Sequence, residues 1–259
     1  MGNKLRKLYL GLMLAFLYLP IAVLIVFSFN DTKLRGVWAG FTTHWYTDLF
    51  SDPIILNSFY NTILVAAVAT VVSTVLGTVS AIGIRALRRR QQSLVLNVNY
   101  LPVLNPDIVT AVALMSLFGF LALEQGLITM TLSHIVFCTP YVILSVLPKL
   151  DQLDQNTVEA AFDLGAKPIE ALRYVVIPQI KPGIASGALM AFTLSVDDFI
   201  ISFFTTGQGV SNLSIALYSM AKTGINPSMN AISTILFVTI FILLLILNKR
   251  DIDLIHFEV

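Results

Sequence analysis

Asn57-Ser-Phe-Tyr-Asn-Thr-Ile-Leu-Val-Ala-Ala-Val-Ala-Thr-Val-Val-Ser-Thr-Val-Leu-Gly-Thr-Val-Ser-Ala-Ile-Gly-Ile84 carries no charged residue from end to end. A helix crossing the hydrocarbon core of a bilayer needs roughly 20 such residues. In lipid every backbone N–H and C=O must be satisfied within the protein, which leaves helices and closed barrels. The run is too long and continuous for a barrel strand, so it predicts a membrane helix. Five further stretches read the same way: Leu8 to Phe29, Leu94 to Leu121, Leu127 to Leu147, Ile184 to Thr205 and Met229 to Leu247. The expectation is an all-α, polytopic integral membrane bundle of six transmembrane helices, a single transmembrane domain over 1–259 with its longest inner loop at 149–182.

Composition agrees with lipid as the solvent. Of 259 residues, 56% are hydrophobic and 12% charged, against about 25% charged in soluble domains. Mean hydropathy is +0.83. A net charge of +1 gives no basis for a nucleic-acid partner. The single cysteine, Cys138, rules out an internal disulfide framework. The run after Lys4, Arg6 and Lys7 is too long for a signal peptide and ends in Phe27-Ser-Phe-Asn30, so it reads as a retained first span. Lysine and arginine set the orientation. With the N-terminus inside, the inner segments hold Lys4, Arg6, Lys7, Arg85, Arg88, Arg89, Arg90, Lys149, Lys167, Arg173, Lys181, Lys249 and Arg250. The outer segments hold only Lys33, Arg35 and Lys222. Both termini are therefore expected in the cytoplasm. The outer loop after the first span has Trp38, Trp45 and Tyr46, which suit a membrane interface.

The inner loop reads Asn156-Thr-Val-Glu-Ala-Ala-Phe-Asp-Leu-Gly-Ala-Lys-Pro-Ile-Glu-Ala-Leu-Arg-Tyr-Val-Val-Ile-Pro178. Asn156 and Glu159 have the spacing of a capping box. Gly165 is placed to end that helix in a left-handed turn, and Pro168 to begin a second helix. Pro178 is expected to stop the second helix, and Pro182 to help start the fifth span. Two short cytoplasmic helices follow, either packed on the protein's own spans or forming a docking knob for another protein.

The same loop resembles the permease subunits of ABC importers. Their signature is Glu-Ala-Ala, three residues, Gly, nine residues, Ile, one residue, Leu-Pro. Here it is Glu159-Ala160-Ala161, Gly165, Val175, Ile177 and Pro178, with two conservative departures. The resemblance implies the type I importer architecture. It also implies that Glu159, Ala160, Ala161, Asp163, Gly165 and Pro178 belong to an element that docks on the ATPase. Tyr18-Leu-Pro-Ile, Ser28-Phe-Asn, Gly40-Phe-Thr-Thr-His-Trp-Tyr46, Pro106-Asp-Ile-Val109, Phe192-Thr-Leu-Ser-Val-Asp-Asp198 and Tyr218-Ser-Met extend the likeness to permeases for spermidine and putrescine. That likeness implies a second permease subunit, two copies of an ATPase subunit and an extracytoplasmic polyamine-binding protein. ATP and Mg2+ would then be held by the partner ATPase, and no cofactor by this chain.

Acids inside spans are expensive and face a bundle interior or water. Ser195, Asp198, Ser202 and Thr205 follow at i, i+3, i+7 and i+10, one face of a continuous helix. Asp198 would lie about 21 Å along that helix from Ile184, in the outer half of the membrane. A polar stripe there suits a pathway lining; a carboxylate bonded to a neighbouring helix is the other reading. Asp197 points about 100° away, toward the site or toward a partner. Asp107 follows Asn105-Pro106, which reads as a helix restart capped by Asn105. Such a restart is also a common way to build a solute site. A polyamine needs carboxylates for its ammonium groups and aromatic walls for its methylenes. Asp198, Asp197 and Asp107 with Ser195 and Ser202 supply the first, and Tyr60 or Tyr218 the second.

No Gly-x-x-x-x-Gly-Lys-Ser/Thr and no His-Glu-x-x-His occurs. His44, His134 and His256 lie in different segments, and His134 is expected to bond within its helix or to a neighbour. Three rivals remain open on sequence alone. They are an importer for another solute, a membrane-embedded enzyme using Asp197 and Asp198, and a passive channel.

Overall fold

A computed structural model describes residues 3–32, 36–223 and 227–255, apart from the side chains of residues 3, 4, 155, 223, 240 and 243–255. The charges of Lys4, Lys33, Arg35, Lys249 and Arg250, the ring of His256 and the end of the sixth apolar run lie outside that description. Among the described residues every regular element is a helix, with one isolated bridge, Asn30 to Phe41.

The chain forms two compact units, residues 1–56 with 216–259, and residues 57–215. The first contains α1 (Asn3–Phe27), α2 (His44–Leu49) and α12 (Pro227–Ile255), and α12 packs on the other two. The outer loop is folded onto itself by Asn30. Its amide donates to the Val37 carbonyl at 2.7 Å, and its side-chain oxygen accepts from Ala39 N–H at 2.9 Å. The Trp45 indole donates to the Asn30 carbonyl at 2.7 Å, and Trp45 is 7% exposed. Trp45 is thus a core residue here, and Trp38, half exposed, is the one free to meet an interface.

The second unit is built around α6 (Leu127–Asp151), whose Phe137, Cys138, Val142 and Val146 form its buried core with Ala81, Ile180, Ala191 and Ile201. The most extensive packing is α6 against α9 (Ile177–Asp197). Gly183 and Gly187 permit it. A Cβ at Gly183 would lie 2.8 Å from Lys149 Cγ and 3.0 Å from the Ser145 carbonyl oxygen; at Gly187, 3.1 Å from Val142 Cγ1. Small residues four apart let two membrane helices approach to backbone contact. Gly187→Leu is expected to lower stability by about 1–3 kcal/mol through overpacking. The check is the thermal unfolding midpoint of the purified protein in detergent, with Leu144→Met as a volume-matched control.

Long apolar helices run over Leu5–Phe27, Pro53–Ala86, Leu127–Asp151 and Pro168–Asp197. The third expected span is instead a pair, α4 (Arg89–Leu104) and α5 (Asp107–Phe120), bent by 104°. The residue before a proline is pushed out of the helical region, and Asn105 has ψ 146°. The restart at Asp107 is therefore present. Asn105, however, ends α4 rather than capping α5, and no side chain caps α5.

The inner loop forms α7 (Gln155–Asp163) and α8 (Pro168–Ala171). Asp154, not Asn156, caps α7, its carboxylate accepting from Asn156 N–H at 3.0 Å. Gly165 has φ +86°. Its N–H donates to the Phe162 carbonyl at 2.8 Å, and Ala166 N–H to the Ala161 carbonyl at 3.0 Å. That pair of bonds is the Schellman closure, which leaves a left-handed residue at the glycine. Pro168 begins α8 as expected. Pro178 does not stop the helix. A single π turn over Leu172–Val176 joins α8 to α9, and Pro178 and Pro182 lie inside the continuous helical run. The wider turn re-registers the hydrogen-bond ladder where Pro178 offers no N–H.

Candidate functional site

The fifth apolar run breaks where a continuous helix was expected. α9 ends at Asp197, Asp198 is extended at ψ 128°, and α10 (Ile200–Thr205) starts again. Asp198 causes the restart. One carboxylate oxygen accepts from Ile201 N–H at 3.1 Å; the other accepts from Ser202 N–H at 2.7 Å and the Ser202 hydroxyl at 2.9 Å. Free N–H groups at a helix start attract an aspartate oxygen. Ser195, Asp198 and Ser202 still meet, but across a broken helix rather than along one face.

His134 of α6 closes the cluster. Nδ1 lies 2.7 Å from Ser195 Oγ, and Nε2 2.9 Å from Ser202 Oγ and 3.5 Å from Asp198 Oδ2. Asn212, in the segment before α11 (Leu213–Thr223), donates to Ser202 Oγ at 2.7 Å and to the Asp198 carbonyl at 3.2 Å. The Ser202 hydroxyl has one proton and two lone pairs. Its proton goes to Asp198, and one lone pair takes the Asn212 amide. The other is left for His134, so Nε2 is the protonated ring nitrogen. The His134 and Asp198 side chains are 1% and 6% exposed. Removing the ring leaves buried hydroxyls and a carboxylate short of a partner, at about 1–3 kcal/mol. His134→Ala is expected to lower the unfolding midpoint, and His134→Gln, which keeps a donor, to lower it less.

The other expected site residues lie apart from this network. Asp197 and Asp107 are exposed and have no hydrogen-bond or ion-pair partner among the described residues. Tyr60 is exposed on α3 (Pro53–Arg85), whose neighbouring Asn61 and Thr62 side chains hold the Ser211 carbonyl and Leu213 N–H. Tyr218 lies 4.8 Å beneath the Lys222 ammonium, giving that isolated outer lysine a cation–π seat. The adjacent acids diverge, one exposed and one spent on capping α10. This is unlike the facing pair that an aspartyl enzyme needs to share a proton. His134 was legible only as a residue with some partner. Asn212 was missed, and its one sequence signal is an asparagine at the N-cap of the helix that follows it.

At the other end of the unit, none of the described α7 residues is buried. Glu159, Ala160, Asp163 and Gly165 are exposed, Ala161 is half-buried, and Leu164 is 90% exposed at the tip of the turn. Pro178 is exposed in the first turn of α9. A cavity of about 440 Å³ separates α7 from the ends of α3 and α6, lined by Ile82, Leu150, Val158, Phe162 and Val176. An element so loosely seated on its own protein has its apolar surface available to another.

Residues 73–250 match the family model described as binding-protein-dependent transport system inner membrane component. The chain is 36% identical over 237 residues to the spermidine/putrescine transport system permease protein PotC of Escherichia coli K12, covering 92% of this chain and 90% of that protein. It is 37% identical over 238 residues to the putrescine transport system permease protein PotI of the same strain, covering 89% and 85%. Among solved structures, a chain of a bacterial ABC transporter that imports the acidic polysaccharide alginate superposes with TM-score 0.75 at 15% identity, covering 95% of both chains. A chain of the inward-facing MetNI methionine ABC transporter gives 0.63 at 19% identity, covering 78% of this chain and 97% of that one.

Proposed function

Because the chain belongs to the binding-protein-dependent transport system inner membrane component family, we propose that it is the membrane permease subunit of an ATP-driven importer for spermidine and putrescine. It is a multi-pass transport subunit of the inner membrane rather than an enzyme. In the proposed assembly a second permease completes the pathway, two copies of an ATPase subunit supply the energy, and an extracytoplasmic protein delivers the polyamine. Both termini face the cytoplasm, as the distribution of lysine and arginine supports.

The observation that carries the substrate reading is that Asp197 and Asp107, which lie within two of the apolar runs, are exposed and have no hydrogen-bond or ion-pair partner among the described residues. Each stands at a helix break, where irregular backbone at membrane depth commonly lines a solute path. Polyamine ammonium groups shed water only where carboxylates replace it. The names of the PotC and PotI relatives point to the same solutes. In this reading Asp197 meets the solute, while Asp198 holds the break beside it. Closure of the ATPases moves α7 through the exposed surface from Glu159 to Gly165. The π turn and α9 then carry that movement to the break, which favours one access state over the other.

The test is ATP-dependent uptake of radiolabelled spermidine and putrescine into proteoliposomes holding the complete complex. Saturable uptake, displaced by unlabelled polyamine and not by sugars or anions, is expected. Asp197→Asn removes one charged hydrogen bond, worth about 1.5–3 kcal/mol. Uptake efficiency should then fall by about tenfold or more, with unchanged membrane abundance. A complex whose ATPase responds to a different solute and not to polyamines would overturn the substrate reading and leave the importer class standing.

A further inference from the structure

We propose that the groove between α4 and α6, with the arginines of the α3–α4 turn, is a binding site for an anionic phospholipid of the cytoplasmic leaflet. It rests on the membrane reading of the chain and not on the identity of the transported solute.

The charge comes from Arg85, Arg88, Arg89 and Arg90, which cluster where the apolar helix α3 ends and α4 begins. Arg85 is paired with Asp151 at the end of α6. Arg88, Arg89 and Arg90 are exposed and have no ion-pair or hydrogen-bond partner among the described residues. Like charges at a helix start oppose the helix dipole, so nothing in α4 itself neutralises them. A guanidinium presents a planar fork of donors that matches phosphate oxygens.

The apolar half is a cavity of about 440 Å³ bounded by Leu96 and Tyr100 of α4 and by Leu144, Leu147 and Pro148 of α6, with Asp151 at its polar end. The Arg85–Asp151 pair links the arginine cluster to the polar end of the cavity. Arg85 reaches Asp151, and Leu96 lies about 10 Å along α4 from Arg89 at 1.5 Å per residue. Asp151 is already neutralised by Arg85, so no free acid in the cavity lining repels a phosphate. Leu94, Val98 and Leu101 form an exposed apolar stripe on the opposite face of α4, so lipid also meets the helix on that side. A phosphate on the arginines and an acyl chain in the groove would satisfy both halves. A free inorganic anion would leave the groove empty, and a zwitterionic lipid would bring no net charge to the arginines.

The experiment follows lipid retention and thermal stability of the complete complex, without reference to transport. Native complex purified in mild detergent is analysed by mass spectrometry for bound lipid. It is then titrated with phosphatidylglycerol or phosphatidylcholine while the unfolding midpoint is recorded. Retained phosphatidylglycerol and a midpoint that rises with phosphatidylglycerol alone are expected. The triple variant Arg88→Gln, Arg89→Gln, Arg90→Gln should weaken phosphatidylglycerol binding by about a hundredfold, at roughly fivefold per charge. Leu96→Trp, which keeps every charge and fills the groove, should abolish retention by itself. Equal response of the native complex to both lipids would overturn the proposal, as would unchanged binding in the triple variant. Loss in the arginine variant alone would reduce the site to surface attraction and also overturn it. So would loss of ATPase binding at unchanged lipid affinity, which would assign the arginines to a protein surface.

Discussion

Asp198→Leu is expected to abolish uptake, by a hundredfold or more, and to lower the unfolding midpoint of the complex. The carboxylate accepts from two backbone N–H groups and one hydroxyl, and lies beside the buried His134 ring. Truncating one member of a buried charged network leaves the others unpaired, at about 3–5 kcal/mol. Loss of the cap from α10 adds to it. Asp198→Asn keeps one oxygen for the two Ser202 donors and turns its NH2 toward the Ile201 N–H, so it should restore only part of the stability. The contrast with Asp197→Asn carries the assignment of roles. That change should spare the midpoint and weaken only the handling of solute. Midpoints and uptake kinetics of the three variants in one preparation decide it. Equal stability of Asp198→Leu and the native protein would show that Asp198 does not hold the break between α9 and α10.

Gly165→Val is expected to stop transport by another route. Gly165 stands at φ +86°, where a side chain costs about 1–2 kcal/mol and a β-branched one more. Nothing crowds the position, since a Cβ there would meet no atom within 4 Å. The strain is therefore purely conformational. It is relieved by opening the Schellman turn, which swings α7 away from α8. The membrane core is untouched, so abundance and midpoint should stay native while association with the ATPase falls tenfold or more and uptake falls with it. Gly165→Asn should be nearly silent, because asparagine tolerates the left-handed region. A valine variant that binds the ATPase as well as the asparagine variant would sever the turn geometry from docking.

The turn at Gly165 illustrates what short-range chemistry makes legible. A glycine after a run of helix formers and a proline three residues later need only their neighbours to specify a Schellman closure and a restart. The apolar runs are legible for a similar reason, since lipid imposes one composition on every residue of a span. Misreadings arose where a local rule had two outcomes. Asp154 and Asn156 both cap helices well, and the preceding residue won. Pro178 stops most helices, yet a π turn absorbed it. Asn105-Pro106 announced a restart without the 104° bend that comes with it.

The acid site lay beyond any local rule. By sequence alone Ser195, Asp198 and Ser202 share a helix face, and the period of a helix says nothing of where the helix ends. The break at Asp198 exists because Ser202 turns back to its carboxylate and because His134, on a different helix, bonds both serines. Asn212 then closes the shell from a later segment. Those partners are brought together only when Gly183 and Gly187 let α9 settle on α6. The sequence by itself determined a helical membrane protein and a loop whose first helix closes at Gly165. The tertiary structure decided which aspartate is buried and which is exposed, because α6 brings the His134 ring against the Asp198 carboxylate while Asp197 remains uncovered.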